Sequence, residues 1–294
     1  MISSIDITPG LRVPLRHGLA TRPATTATVR MLTGADEAAL GGGHGPGDER
    51  WVTRVLAATV EELGGARPDV AELRALSVGD RNALLLALVA ATYGSRVEWV
   101  LDCPSCGERL DAAVDLEMLL LRAAGAPPGG APVAGPPRDA ATVGFRLPTG
   151  EDLEAVAELV PAETGPWEAS GGRAASDVPD QARRLLLDRC VAAWHTLDDS
   201  AIAAVETEMA LADPLADIEL LLTCAACKTP VPALLDPAAE LAARLSPDRR
   251  LMADVHALAL AYGWSEPEVL ALPTPRRAGY LNLVADGERW DGEL

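Results

Sequence analysis

The sequence is poor in aromatic residues and in positive charge. Its 294 residues include one Phe, three Tyr and six Trp, so a core must rest mainly on Leu, Val and Ala. Because Ala and Leu favour helices, we predict a helix-rich α+β fold. Lys and Arg number 25 against 43 Asp and Glu, a formal net charge of −18. Phosphate binding requires clustered cationic surface, so this balance argues against a nucleic-acid partner.

Long apolar runs are also missing. The longest, residues 83–91, is far shorter than the roughly 20 residues that span a bilayer. The first 20 residues mix Asp6, Pro9, Arg12 and His17 with apolar residues, without the continuous apolar stretch of a signal peptide. We therefore predict no membrane insertion and a cytoplasmic location. There, thiols stay reduced and paired cysteines hold metal more often than they form structural disulfides.

The sequence contains no recognisable catalytic pattern. Residues 41–47 are rich in Gly but lack the following Lys-Ser/Thr of a phosphate-binding loop. Adjacent carboxylates such as Glu151 and Asp152 are expected by chance among so many acidic residues, and we interpret them as a solvated face. The four histidines share no ligand spacing: His17, His44, His195 and His256. We therefore predict that the protein is not an enzyme and assign no catalytic residue.

Four of the five cysteines form two CxxC pairs. A CxxC turn points two sulfurs the same way, and four sulfurs satisfy the tetrahedral preference of Zn²⁺ at about 2.3 Å. The pattern predicts one structural zinc site with four ligands: Cys103, Cys106, Cys224 and Cys227. The remaining cysteine, Cys190, lies in a helical pattern and is predicted to be a buried, small apolar residue.

The sequence leaves three other interpretations of the paired cysteines open. A catalytic zinc usually keeps an open position and recruits His or a carboxylate. A redox pair should open a helix, whereas Gly107 and the residues after it indicate a turn into a strand. The third is that the metal site has decayed in evolution, because Lys228 follows Cys227 where Gly107 follows Cys106.

The segments around the two pairs repeat each other. Residues 97–115 and 218–236 match with a constant offset of 121 (224 − 103). Each copy has an apolar run of strand length, a CxxC turn, and a second extended stretch that closes on Asp at a helix start. The pattern predicts a zinc-ribbon-like β-hairpin in each copy.

The repetition extends beyond the hairpins. Residues 145–152, FRLPTGED, echo residues 29–36, VRMLTGAD, and both are followed by a loop, two helical patterns and a CxxC turn. We predict an internal duplication into two tandem repeats whose cysteine pairs share one ion. The predicted organisation is an N-terminal arm (1–26), a first repeat (27–125), a Pro/Gly linker (126–141), a second repeat (142–245) and a C-terminal helical docking module (246–294).

Apolar spacing and capping residues predict the helices. The repeats have helical patterns over 49–63, 80–91, 116–124, 179–197 and 199–211. In the C-terminal module, Ser246 is the N-cap of a helix that reaches residue 262, and Ser265 with Glu268 forms a capping box. A final helix covers 276–284.

A series of short motifs follows a fixed order along the chain. In the first repeat they are Ser77-Val-Gly-Asp-Arg81, Tyr93-Gly94, Cys103-Pro-Ser-Cys-Gly107 and Asp115-Leu116. In the second repeat they are residues 145–152 and Cys224-Ala-Ala-Cys227. The tail adds residues 255–259, 262–265, 269–272, 276–277 and 280–281. In this order the motifs resemble the T-even-type baseplate hub assembly family of contractile phage tails. The resemblance spans most of residues 27–285, and the Pro/Gly linker and the second CxxC turn depart from it.

The resemblance implies a non-enzymatic structural or assembly component of a baseplate, in a contractile injection system or phage-tail-like particle. Its implied partners are other baseplate, hub or tail subunits, and its implied place is an assembled tail-like particle. One alternative is a zinc-dependent hydrolase or redox enzyme, which requires an additional His or acid near the cysteines. Another is a zinc-ribbon regulator that binds nucleic acid, against which the net charge argues.

Overall fold

A computed structural model describes residues 10–19, 26–41, 48–125, 143–159, 178–245 and 248–290. The predicted Pro/Gly linker, most of the Gly-rich loop with His44, and the Ser246 helix cap lie outside the described residues.

The described residues form a helix-rich α+β fold, which confirms the predicted class. The strands are β1 (Leu11–Pro14), β2 (Thr26–Val29), β3 (Val60–Leu63), β4 (Arg96–Asp102), β5 (Arg109–Asp115), β6 (Glu219–Thr223) and β7 (Pro230–Leu234). They pair antiparallel in one sheet of order β1-β2-β3 and two hairpins, β4-β5 and β6-β7.

Helices account for most of the remaining described residues. In the first half they are α1 (Gly34–Leu40), α2 (Glu49–Thr59), α3 (Val70–Ala75), α4 (Val78–Tyr93) and α5 (Leu116–Gly125). Those that follow are α6 (Gly150–Ala157), α7 (Val178–Cys190), α8 (Asp199–Ala212), α9 (Pro237–Arg244), α10 (Asp248–Tyr262), α11 (Glu266–Leu270) and α12 (Thr274–Trp290). Within the described ranges, none combines the length and apolar character needed to cross a bilayer.

The prediction of one helix over 49–63 is wrong, because its last four residues form β3. Helix α2 ends at Thr59, and β3 pairs with β2 through Val60 opposite Val29. Val60 and Leu63 are buried while the two glutamates between them are exposed. The apolar spacing fits both structures, and the partner strand supplied by β2 decides for a strand.

The predicted helix over 179–197 also ends early, at Cys190. Val191 forms a bridge with Phe145, and the amide of Ala192 donates to the carbonyl of Gly144 at 3.0 Å. Ala193 then adopts a left-handed conformation with φ 51°. Pairing with a chain segment about 47 residues earlier therefore replaces the helical hydrogen bonds.

The largest apolar core surrounds α4, which is buried on nearly all sides. Helix α9, which follows the second hairpin, packs against α4 and contributes Ala238 and Leu241 to this core. A smaller cluster contains Leu187, Val191 and Ile202. Because α9 joins the large core, apolar packing crosses the predicted boundary between the repeats, and the domain limits stay a prediction.

Two Thr-Gly turns, at the starts of α1 and α6, have the same polar geometry. Arg30 donates two hydrogen bonds to the carboxylate of Asp36, at 2.6 and 2.9 Å. Arg146 donates two to Asp152 at the same distances, with an offset of 116 (146 − 30). The threonine amide before each glycine also donates to the same carboxylate. The echo in the sequence therefore corresponds to one local structure formed twice.

Each Thr-Gly turn also docks on the start of another helix. Residues 32–34 pair with residues 272–274 at the start of α12, through backbone bonds of 3.3 and 2.9 Å. Residues 148–150 pair with residues 76–78 at the start of α4, through backbone bonds of 3.2 and 3.1 Å. The second-half turn is thus held by the first half, and the first-half turn by the C-terminal helices.

A buried arginine closes each of these junctions. A Cβ atom added at Gly34 would lie 2.8 Å from Nη1 of Arg277, and one added at Gly150 would collide with the guanidinium of Arg81. Arg277 and Arg81 are nearly inaccessible to solvent. Both junctions therefore require the glycine, because the arginine occupies the space of a side chain.

Candidate metal centre

Each CxxC turn lies at the tip of a two-stranded hairpin. Strands β4 and β5 pair over their full length, from Arg96 opposite Asp115 to Asp102 opposite Arg109. At the other end of each hairpin an aspartate begins the next helix: Asp115 accepts from the amide of Met118 at 3.1 Å. Asp236 does the same for the start of α9. The alternation of apolar residues and the closing aspartates thus position the turns as the sequence predicts.

The first CxxC turn is held by two backbone hydrogen bonds. The amide of Cys103 donates to the carbonyl of Glu108, and the amide of Gly107 donates to the carbonyl of Cys103, both at 2.8 Å. Gly107 has φ 72°, in the left-handed region that glycine adopts without strain. This conformation turns the chain back into β5 and leaves both thiols on one side.

The second turn has the same backbone geometry despite its different sequence. The amides of Cys224 and Lys228 form the corresponding bonds, to Thr229 and Cys224, at 3.0 Å. Lys228 takes φ 62°, so it adopts the left-handed conformation that Gly107 adopts in the first turn. The irregular residue therefore changes the local strain and leaves the position of the thiols unchanged.

The four sulfurs of the two turns lie within 4.8 Å of one another. The Sγ atoms of Cys103 and Cys227 are 3.7 Å apart, and so are those of Cys106 and Cys224. A tetrahedron with Zn–S bonds of about 2.3 Å has sulfur–sulfur edges of about 3.8 Å. A disulfide would bring two sulfurs to about 2.05 Å. The spacing therefore fits four ligands of one metal ion.

The cluster lies half inside the protein and half at its surface. Cys103 and Cys224 are buried beside Leu110 and Val231, whereas Cys106 and Cys227 are exposed. Both of the 3.7 Å sulfur contacts join different hairpins, so an ion held here would connect chain segments more than a hundred residues apart. Four thiolates also fill a tetrahedron, which is the arrangement of closed, structural zinc sites.

The neighbours of the exposed thiols shift their acidity in opposite directions. Hydrogen bonds from the hydroxyl and the amide of Thr229 lower the pKa of Cys227 to about 6. The amide of Glu108 lowers the pKa of Cys106, but the neighbouring thiols raise it more, to about 12. Because zinc binds the thiolate form of cysteine, an ion held here must displace the protons of the thiols.

One further hydrogen bond near the site could not be predicted from the sequence. The indole Nε1 of Trp99, on β4, donates to the carboxylate of Glu240, on α9, at 2.5 Å. The two residues are 141 positions apart, and no sequence pattern pairs them. Cys190 lies elsewhere, buried in the smaller cluster of the second half. It is buried as the sequence predicts.

Residues 21–232 match the model of a known family, described as T4 bacteriophage base plate protein. The match covers more than half of the chain. The chain belongs to this base plate family. Membership confirms the resemblance drawn from the sequence motifs and indicates a structural component of a phage base plate. The matched range contains both CxxC turns and ends in β7, so the tail motifs at 255–281 lie outside it. No curated protein and no solved structure matches the chain.

Proposed function

We propose that this member of the base plate family is a non-enzymatic structural or assembly component of a contractile injection system or phage-tail-like particle. In this proposal a Cys₄ zinc site fixes the two hairpins against each other. One observation carries it: in a chain of this family, four thiols from two hairpins converge to within 4.8 Å.

The ligands in this proposal are the four cysteines at 103, 106, 224 and 227. Soft thiolate ligands in a tetrahedron select zinc over the hard cations magnesium and calcium. Connecting segments so far apart in sequence costs chain entropy, which increases slowly with loop length. Structural zinc binding contributes about 10–16 kcal/mol in zinc-finger peptides, so one ion is sufficient to offset this cost.

We also propose that the hairpins are zinc-ribbon-like and that the chain contains two tandem repeats, 27–125 and 142–245. The matched hydrogen bonds of the CxxC turns, at an offset of 121, support this origin. The matched Arg–Asp pairs, at an offset of 116, support it independently. The region 246–294 then serves as a helical docking module, held to the first repeat by the junction of residues 33–34.

The proposed partners are other base plate, hub or tail subunits. Fixing the two repeats would hold their outer surfaces at a constant relative position, as a subunit with several neighbours requires. The net charge of −18 favours protein partners over nucleic acid. An enzymatic zinc site is less well supported, because the group of described residues with metal-ligand spacing consists of four cysteines and leaves no open position.

Metal analysis tests the zinc proposal. Protein purified without chelator is expected to contain one zinc per chain, and Cys103→Ser and Cys224→Ser to lose both zinc and stability. Cys190→Ser is the matched control, since this cysteine is buried away from the cluster. Zinc-free protein, or serine variants as stable as the parent, would contradict the proposal.

Co-purification from the native host tests the assembly role. Tagged protein is expected to bring down sheath and tube proteins, and the Cys224→Ser variant to bring down less of both. If no tail protein accompanies the parent protein at any stage of particle production, the assignment as an assembly component is wrong. Zinc content measured on the same material separates this outcome from a failure of the metal site.

A further inference from the structure

Each hairpin exposes two strand edges, because each is a sheet of only two strands. The phase of the β6-β7 ladder follows from the bond between the amide of Leu235 and the carbonyl of Ile218, at 2.9 Å. Since antiparallel bonding alternates along a strand, the outward amides and carbonyls of β6 belong to Glu219, Leu221 and Thr223.

Three of the four edges are protected against pairing with another strand. Outward positions on β4 carry the charged residues Arg96, Glu98 and Asp102. Outward positions on β5 carry the charged residues Arg109, Asp111 and Asp115. On β7 the outward positions include Pro230 and Pro232, which have no amide hydrogen to donate. Charge and proline on edge strands are the usual devices that prevent edge-to-edge association.

The centre of the β6 edge carries neither a charged residue nor a proline. The side chain of Leu221 is 72% exposed, and Leu234 on the adjacent strand is 67% exposed. Within the described part of the chain, no backbone or side-chain hydrogen bond reaches the outward amides and carbonyls of β6. An open row of peptide groups thus lies beside an exposed apolar patch, the combination that favours strand addition.

We propose that β6 pairs with β6 of a second copy of this chain, antiparallel and centred on Leu221. In this register each outward amide of one copy faces an outward carbonyl of the other. Leu221 lies opposite its own counterpart, and Glu219 lies opposite the hydroxyl of Thr223. The two copies form one sheet of order β7-β6-β6-β7, with the leucines of both copies on its outer face.

The choice of a second copy rests on the cross-strand pairs that this register creates, in which the hydroxyl of each Thr223 can donate to Glu219 of the other copy. The antiparallel register on β6 brings no two like charges together. The equivalent register on β4, centred on Val100, would place Glu98 opposite Asp102 twice, and like charges opposite each other destabilise a sheet. Val100 is the counterpart of Leu221 at the offset of 121, so the repeats differ at matched positions in their capacity for self-pairing.

Molar mass measured by light scattering over a range of concentrations tests this interface. The parent protein is expected at twice 30.7 kDa, and the fraction of dimer to increase with salt, which screens the repulsion between two acidic chains. Leu221→Asp and Leu221→Pro are expected to have the mass of one chain. Leu221→Pro removes the outward amide hydrogen from β6, as Pro232 does on the facing strand. Val100→Asp is the matched control and is expected to remain dimeric.

Two results would overturn the inference. One is a parent protein with the mass of a single chain at every concentration and salt level. The other is dimeric Leu221→Asp and Leu221→Pro protein. If the parent is monomeric and Leu221→Pro also loses co-purifying tail proteins, the edge binds a strand of another subunit and the second copy is excluded. Zinc content is measured on every sample and is expected to be the same in all of them, so the metal proposal is judged separately.

Discussion

The two halves of the molecule share their hydrogen-bonded turns and differ in their apolar packing. In the first half, α4 is enclosed by the large core. In the second, α8 begins at the matched cap residue, Asp198 for Ser77, yet only Ile202, Val205 and Ala212 of this helix are buried. Burial stabilises by about 25 cal/mol per Å² of apolar surface. With less apolar burial, the second half depends more on polar contacts.

Removal of the metal should produce the largest difference in stability between the two halves. A chelator is expected to lower the free energy of unfolding by several kcal/mol, since structural zinc contributes about 10–16 kcal/mol in small peptides. Hydrogen exchange should show faster exchange in α8 and β6-β7 than in α4, because α4 is buried on nearly all sides. Equal acceleration in both halves would show that they are stabilised to the same extent by the metal.

Neutralising the aspartate of each Arg–Asp pair in turn should show how much each pair contributes to stability. Asp152 is fully buried and accepts bonds from Arg146 and, at 2.5 Å, from Arg189. Asp36 is partly exposed and pairs with Arg30. Arg146 and Arg189 are themselves partly exposed, so Asp152→Asn should destabilise by about 2–3 kcal/mol, the scale of hydrogen bonds to a charged group. Asp36→Asn should cost about 1–2 kcal/mol. Urea unfolding of both variants measures the difference, and equal losses would contradict it.

Acidification should lower the stability that depends on the ionised carboxylate of Asp152. Burial raises the pKa of Asp152, but hydrogen bonds from Arg146, Arg189 and Thr149 outweigh it and hold the pKa well below the usual range. A carboxylate with a lowered pKa stabilises the fold above its unfolded pKa of about 3.9, and this stability is lost as the pH falls further. The parent should therefore lose more stability below about pH 4 than Asp152→Asn does. Parallel stability curves for the two proteins would count against this role.

The smallest expected effect concerns the two CxxC turns. Lys228 holds a left-handed conformation that costs a residue with a Cβ roughly 1–2 kcal/mol relative to glycine. Lys228→Gly should therefore raise stability by about 1 kcal/mol, and Gly107→Lys should lower it by a similar amount. Thermal unfolding of the zinc-loaded proteins measures both. A Lys228→Gly variant less stable than the parent would show that the bond from the Lys228 ammonium to the carbonyl of Ala225 matters more than the backbone strain.

The convergence of the four cysteines was accessible from the sequence, because CxxC spacing and the constant offset of 121 are local patterns with few structural solutions. Helices α4, α5 and α8 lie within two residues of their predicted limits for the same reason. Strand β3 was not accessible, since the spacing of Val60 and Leu63 also fits a helix. The open edge of β6 required the phase of a ladder that only its hydrogen bonds define.

The sequence by itself determined the turns, the caps, the thiol pairs and the family. These depend on residues a few positions apart, where the backbone geometry of Gly, Pro, Asp and Cys restricts the local conformations. Only the tertiary structure decided that residues 33–34 dock on 272–274 and residues 149–150 on 76–78. Partners so distant in the chain leave no periodic signal, because their contact depends on how the helices between them pack.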